Sequence, residues 1–282
     1  MKDNYKEFCF EEYKRIFDER FSSLNIKDSE KRRTESQRIA IRESSIKAIK
    51  AFPEVEPSAI WKSIYVAHVH NISGIADPKV IVAIISADNS WKKSSGHAFE
   101  EMIKEPANLT LRKHGIEVIL QRELNLLLHE KRLTNEVRDI SWLKEQVASS
   151  IFDLYLTLNE GDNYLLFGCI QSKTSIRDRV TRDREPSINA MKAFFMSIAV
   201  VLDGDFLRLP KFKNMVNGNS SEYDINGWHG MYVFTNEPLE NDRIHGIDIS
   251  MEKFVQDVIK GAESWKKQRQ WFDHKWRPTS NT

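Results

Sequence analysis

The sequence predicts an α/β or α+β core preceded by a helical subdomain, and three observations carry that prediction. Roughly the first 75 residues place apolar side chains at helical spacing. The stretch from Phe152 to Lys173 alternates apolar and polar residues about a polar turn, which is the pattern of a β-hairpin. Further short strand patterns stand among segregated helical ones, and such elements bury their faces by packing helices against a sheet.

From Tyr5 to about Lys50 one apolar stripe holds Phe8, Tyr13, Ile16 and Phe17, and another holds Ile39, Ile46 and Ile49. Pro53 and Pro57 end that region. Ser58 is the expected N-cap of a third helix carrying Ile60, Trp61, Ile64 and Tyr65. Asp77-Pro78 then marks a boundary between an N-terminal helical subdomain, 1–77, and a larger domain, 78–282. Gly96 to about His114 reads as a helix burying Phe99, Met102 and Ile103, with Glu100 beside that face and Pro106 expected to kink or divide it. Ile116 to Leu120 reads as a strand, Leu124 to Leu133 as a helix, and Ile140 to Val147 as a helix or an approach to the sheet. The hairpin follows, turning at Asn159-Glu160-Gly161-Asp162-Asn163. Ile188 to Leu202 reads as an apolar helix, Met231 to Thr235 as a strand, and Met251 to Trp276 as a long final helix.

Composition narrows the function classes. With 40% hydrophobic and 29% charged residues and only 11 Gly and 8 Pro, the chain has no low-complexity segment, and no internal repeat is visible. The longest apolar stretch, Val80 to Ala87, is too short to span a bilayer, and the charged N-terminus has no apolar leader core, so a cytoplasmic protein without membrane contact is expected. Cys9 and Cys169 lack metal-like spacing and are expected to be reduced structural thiols. The 42 basic and 41 acidic residues nearly cancel, so any nucleic-acid contact must come from a local basic surface.

The hairpin supplies the candidate chemistry. Side chains alternate along a strand, so Asp153, Tyr155 and Thr157 share one face and Leu154, Leu156 and Leu158 the other, which makes Asp153 a carboxylate in an apolar context. On the return strand Cys169, Gln171 and Lys173 share a face. A register with Gln171 opposite Asp153 puts Lys173 on the diagonal, about 7 to 8 Å away, with space for a metal and a water. Phosphodiester hydrolysis needs a hard cation, oxygen ligands and a group that positions water. Asp153 can supply a ligand, the Ser172 carbonyl or the Gln171 amide oxygen can complete the shell, and Lys173 can orient water and stabilise charge. Taken alone, the same residues also suit a sheet-edge aspartate and a solvated strand-end lysine.

Beyond Lys173 runs Thr174-Ser175-Ile176-Arg177-Asp178-Arg179-Val180-Thr181-Arg182-Asp183-Arg184-Glu185. Arginine donates bidentately to guanine and aspartate accepts from the cytosine amino group, so this cluster suits G·C pairs in a major groove; it equally suits a solvated, ion-paired helix face. His68-x-His70 lacks a third ligand, and Ser172-Lys173-Thr174 lacks the glycine-rich approach of a phosphate loop. Two basic stretches, Lys31-Arg32-Arg33 with Arg38 and Arg42, and Lys266, Lys267, Arg269, Lys275 and Arg277 among Trp265, Trp271 and Trp276, suit phosphate contacts or a solvated face with packed tryptophans.

Lys173 followed after three residues by Arg177-Asp178-Arg179, with acids at Asp183 and Glu185, resembles the CCGG-type branch of the type II restriction endonucleases, within the PD-(D/E)XK nucleases. Ser90 to Glu100, Arg112 to Ile116 and Pro57 to Trp61 are similar to segments of that branch in the same order, so the likeness runs from about Pro57 to Ser187. The resemblance implies a mixed central sheet flanked by helices, with Asp153 and Lys173 as the central pair and Glu100 as a helix carboxylate nearby. Asp183 would be the third acid, with Glu185 as its rival, and Asp153, Asp183 and Ser172 would hold Mg²⁺. Arg177, Asp178, Arg179 and Arg182 would contact double-stranded DNA, the first three reading the central C·G pairs. It further implies a homodimer, or a higher oligomer, cutting before the first C of a palindrome to leave a 5′ CCGG overhang, and a cognate methyltransferase. Gln171 departs from the pattern, since many members carry an acid or serine there. Two other readings stay open: a different PD-(D/E)XK nuclease of repair or recombination, and a DNA-binding protein that does not cut.

Overall fold

The computed structural model describes residues 4–75, 77–174, 180–202, 207, 209–235, 239–269 and 272–278. Two compact units divide the chain at 92/93. In the first, helices α1 (Asn4–Ser23), α2 (Ser29–Ala51) and α3 (Pro57–Ser73) enclose Cys9, Tyr13, Ile16, Ala40, Ile60 and Ile64. The hydroxyls of Ser36, Ser44 and Ser45 bond back to carbonyls four residues earlier, which satisfies them inside the bundle. Ser58 lies within α3 and does not cap it: Pro57 takes the first helical position, where its missing N–H costs nothing. His68 shares a 2.7 Å hydrogen bond with the Tyr13 hydroxyl, and His70 packs edge-on against Phe10.

Helix α4 (Pro78–Leu111) starts eighteen positions before the expected Gly96 and passes Pro106 undivided. Phe99, Ile103, Ala107 and Leu111 recur every four residues and are all buried, and that packing outweighs the one backbone bond a proline forfeits.

The second unit is built on a seven-stranded sheet among the described residues, ordered β1-β2-β3-β4-β5-β7-β6. Its strands are β1 (Ile116–Leu120), β2 (Leu154–Glu160), β3 (Asn163–Lys173), β4 (Met196–Val201), β5 (Gly230–Phe234), β6 (Glu240–Asn241) and β7 (Ile244–Ile247). Strands β1, β2 and β3 pair antiparallel, β3, β4, β5 and β7 parallel, and β6 closes antiparallel on β7. The sheet is mixed and flanked by helices, as the family resemblance implied. Asn108 of α4 bonds both backbone groups of Val118 at 2.8 and 2.9 Å, covering the β1 edge.

The hairpin forms, but its strands continue through Asn159, Glu160 and Asn163, so the turn is the two residues Gly161-Asp162 and not the expected five, and a bulge lies between Leu156 and Thr157. One more residue on β3 than on β2 shifts the phase of alternation, so Leu166 and Cys169 face one layer while Phe167 and Ile170 face the other. Gly168 sits at the bulge because a Cβ there would lie 2.9 Å from Leu156 and 3.0 Å from Met196.

The apolar helix expected over Ile188 to Leu202 is replaced by two elements: α7 (Val180–Lys192) ends, Phe194 turns at φ 63°, and β4 follows. A strand buried on both faces in a parallel sheet reads as a continuous apolar run, and its β-branched residues, Ile198, Val200 and Val201, favour the extended form. The last helix also stops early. Helix α9 (Glu252–Gln268) buries Phe254, Val258 and Trp265, after which the chain folds back. Phe272 and Trp276 stack at 4.6 Å, and Arg243 donates to the carbonyls of His229, His274, Lys275 and Trp276, so Trp265 and Trp276 are packing residues; Trp271 lies outside the described residues. The short helices α5 (Gln121–His129), α6 (Val137–Ser149) and α8 (Pro210–Asn217) complete the unit. No described helix is long and apolar enough to cross a membrane.

Candidate active site

Asp153 stands at the entry to β2, held from both sides by its backbone: its N–H donates to Ile170 O at 3.1 Å and its carbonyl accepts from Gln121 N at 3.3 Å. Because β2 runs antiparallel to β3, this entry lies beside the carboxyl end of β3, where Lys173 is. The Asp153 Oδ2 accepts from the Ser172 N–H at 2.8 Å and from Lys173 Nζ at 3.0 Å. The two residues thus meet directly and not across the expected gap, since the four-carbon lysine stem spans it. With 23% and 16% of these side chains exposed, the ion pair is shielded from the screening that weakens surface pairs.

Glu100 on α4 belongs to the same electrostatic neighbourhood. Burial raises its pKa, and the charge of Asp153 adds to that; the His97 imidazole, 3.5 Å away, and Lys173 oppose it. Two hard carboxylates beside one lysine form a donor set that suits a divalent cation, whose charge would relieve the repulsion that Asp153 exerts on Glu100. Among the described residues no group of three or more His, Cys, Asp or Glu side chains is gathered for a metal.

The sign of this shift gives a test. A carboxyl whose folded pKa is raised favours the folded state below its unfolded pKa and loses that contribution as pH rises through the folded value. Glu100→Gln should therefore raise the metal-free melting temperature at pH 8 but leave it nearly unchanged near pH 4, read by calorimetry. An equal gain at both pH values would show that charge plays no part.

Asp183 lies in the first turn of α7, its carbonyl accepting from Gln171 Nε2 at 3.0 Å, while Glu185 and Arg182 are exposed. Ser172 is buried beside the pair. Arg177, Asp178 and Arg179 lie outside the described residues. Gln171 is 1% exposed, and its oxygen accepts from Trp228 Nε1 at 2.7 Å, which makes it a connection between elements. Arg184 is drawn inward, donating to Met215 O at 3.2 Å and to Ile225 O and lying over the Tyr223 ring. Trp228 gives no signal in the sequence, since its partner Gln171 is 57 positions away, and the Tyr223 ring meets Arg184 of the distant helix α7.

Residues 134–271 match the family described as BsaWI restriction endonuclease type 2. Among solved structures, the crystal structure of a pre-specific restriction endonuclease BsaWI–DNA complex is similar at 52% identity and a TM-score of 0.85, covering 98% of this chain and 99% of that chain. The crystal structure of a specific restriction endonuclease AgeI–DNA complex is 18% identical with a TM-score of 0.46, covering 90% of this chain and 91% of that one. No curated protein matches the chain. An α/β core with a carboxylate–lysine pair at the end of its central hairpin, alike over nearly its whole length to such an enzyme, defines a type II site-specific endonuclease. The chain belongs to the BsaWI restriction endonuclease family.

Proposed function

We propose that the protein binds double-stranded DNA and hydrolyses it with Mg²⁺ at a palindrome containing CCGG, leaving a 5′ CCGG overhang. The observation that carries this reading is the half-buried Asp153–Lys173 contact at 3.0 Å, with the Glu100 carboxylate in its field. Asp153, Asp183 and the Ser172 carbonyl are the residues to hold the cation, with Glu100 in support. A bound Mg²⁺ would neutralise charge that develops on the phosphate. Lys173 orients the attacking water and donates to the phosphate as the bond to the 3′ oxygen breaks. Asp183 is favoured over Glu185 as the third acid because its backbone is tied to β3 and Glu185 faces solvent.

Arg177, Asp178 and Arg179 are assigned to the central C·G pairs and Arg182 to the DNA beside them. A palindrome is read by a two-fold symmetric assembly, so the working form is a homodimer or a multiple of it. An enzyme that cuts such a site needs a cognate methyltransferase to protect the DNA of its own cell, and both would act in the cytoplasm. Residues 1–77 are assigned as an N-terminal helical subdomain and 78–282 as the catalytic and recognition domain.

One digest tests the reading. Plasmid incubated with purified protein and Mg²⁺ should give discrete bands whose ends read as four-base 5′ overhangs. Smears or cutting confined to junctions would point to a repair or recombination nuclease, and intact plasmid retarded in a gel would point to a binder that does not cut. Arg179→Ala should cost roughly 1 to 3 kcal/mol of discrimination between CCGG and single-pair variants. Unchanged discrimination in binding assays would reject Arg179 as a base reader.

A further inference from the structure

Trp228 lies in the loop before β5, is 1% exposed, and is absent from the catalytic set above. Its indole N–H donates to Gln171 Oε1 at 2.7 Å across β4. Ala199 of β4 is the register partner of both Gln171 and Met231, and its small side chain leaves room for that reach. At its other end the Gln171 amide donates to the Asp183 carbonyl at 3.0 Å. The loop that carries Trp228 is itself tightly held. Asn226 Nδ2 donates to Trp228 O at 2.7 Å, and Gly227 N–H donates to the Met215 and Val216 carbonyls at 3.0 Å each. A Cβ at Gly227 would lie 2.8 Å from Met215 O and 3.1 Å from the Arg184 stem. Arg184, the neighbour of Asp183, is anchored on the same loop through Ile225 O.

We infer that Trp228 is a positioning residue of the catalytic centre: through Gln171 it holds the first turn of α7, with Asp183, in register against the strand that carries Lys173. The inference rests on the reading that Asp183 and Lys173 serve one centre. An amide flanked on both sides has one orientation that satisfies both neighbours, so the buried strut sets the separation of the two elements and not merely their contact. Loss of the indole N–H leaves Gln171 Oε1 buried without that donor and frees the amide to turn. Catalytic geometry is sensitive to such slippage; a displacement of about 1 Å can cost on the order of 100-fold in rate.

The test uses the full chain with Trp228→Phe, which keeps an aromatic ring but removes the N–H, with Gln171→Met, which keeps the length but removes the amide, and with the double variant. Two readouts are taken: single-turnover plasmid cleavage with Mg²⁺, and hydrogen exchange of the backbone amides of Arg184, Glu185 and Ser187 in protein without metal or DNA. Each single variant is expected to lose roughly 10- to 100-fold in cleavage rate with metal-free DNA affinity nearly unchanged, and to speed exchange in that segment ahead of the rest of the sheet. The double variant should be hardly worse than either single one, because both break the same strut, whereas loss of core packing would add. Wild-type rates in either single variant, additive losses, or unchanged exchange would overturn the inference. If Trp228→Phe does not fold, Gln171→Met decides by the same rate and exchange readouts. Plasmid left intact by the wild-type protein would count against the proposed function, while the exchange measurement still judges the strut.

Discussion

Asp153→Asn is expected to lower the single-turnover cleavage rate by about 10³-fold or more. The substitution is nearly isosteric, and an amide oxygen can still accept from the Ser172 N–H and from Lys173 Nζ, which lie 2.8 and 3.0 Å from the carboxylate oxygen. What it removes is the charge, and with it the strongest ligand available to a hard cation. Fold and rate should therefore separate, with a melting temperature close to that of the wild type and almost no cutting. DNA affinity without metal should hold or rise, since one negative charge has left the path of the phosphate. A variant that keeps more than about a tenth of the wild-type rate would remove Asp153 from the centre.

Lys173→Met should cost roughly 10²- to 10⁴-fold in the same assay, the range in which a positioned proton-handling group contributes. Methionine retains most of the stem but no ammonium, so water loses its orienting donor and Asp153 loses its partner in the pair. Lys173→Arg should fail to restore the rate. A planar fork cannot place a single donor where the compact ammonium meets the Asp153 carboxylate. Binding distinguishes the two sites: Lys173→Met should weaken metal-free association by no more than one phosphate contact, visible as a slightly smaller salt slope. Cleavage restored by Lys173→Arg would mean that charge alone, without geometry, is what the position supplies.

These two residues were legible because a hairpin is a local object. Its strands are adjacent in the chain, its side chains alternate with period two, and a carboxylate at the mouth of an apolar strand stands out against that pattern. The bulge at Leu156 and Thr157 was invisible in the alternation, yet Cys169, Gln171 and Lys173 lie beyond it and keep a common phase. Strand β4 was misread as helix because both of its faces are buried, and burial on both faces erases the period that tells strand from helix. Strands β6 and β7 and helix α8 escaped for a related reason: they are two, four and eight residues long, too short for any period to declare itself.

Order along the chain is enough to propose Asp153 and Lys173 as a pair suited to phosphodiester chemistry, and the family resemblance adds Glu100 before them and the acids after them. The resemblance puts Asp183 ahead of Glu185 by spacing alone and leaves Glu185 as a rival, since both lie within reach of Lys173 along the chain. It takes the folded sheet to bring Lys173 directly onto Asp153, to join Gln171 to Trp228 in a strut, and to rest the Asp183 carbonyl on that strut while Glu185 is exposed. The physical reason is range. Composition and periodicity report what a residue shares with neighbours a few positions away, whereas the candidate site is drawn together by strand pairings and hydrogen bonds between residues twelve to fifty-seven positions apart, which exist only once the sheet has closed.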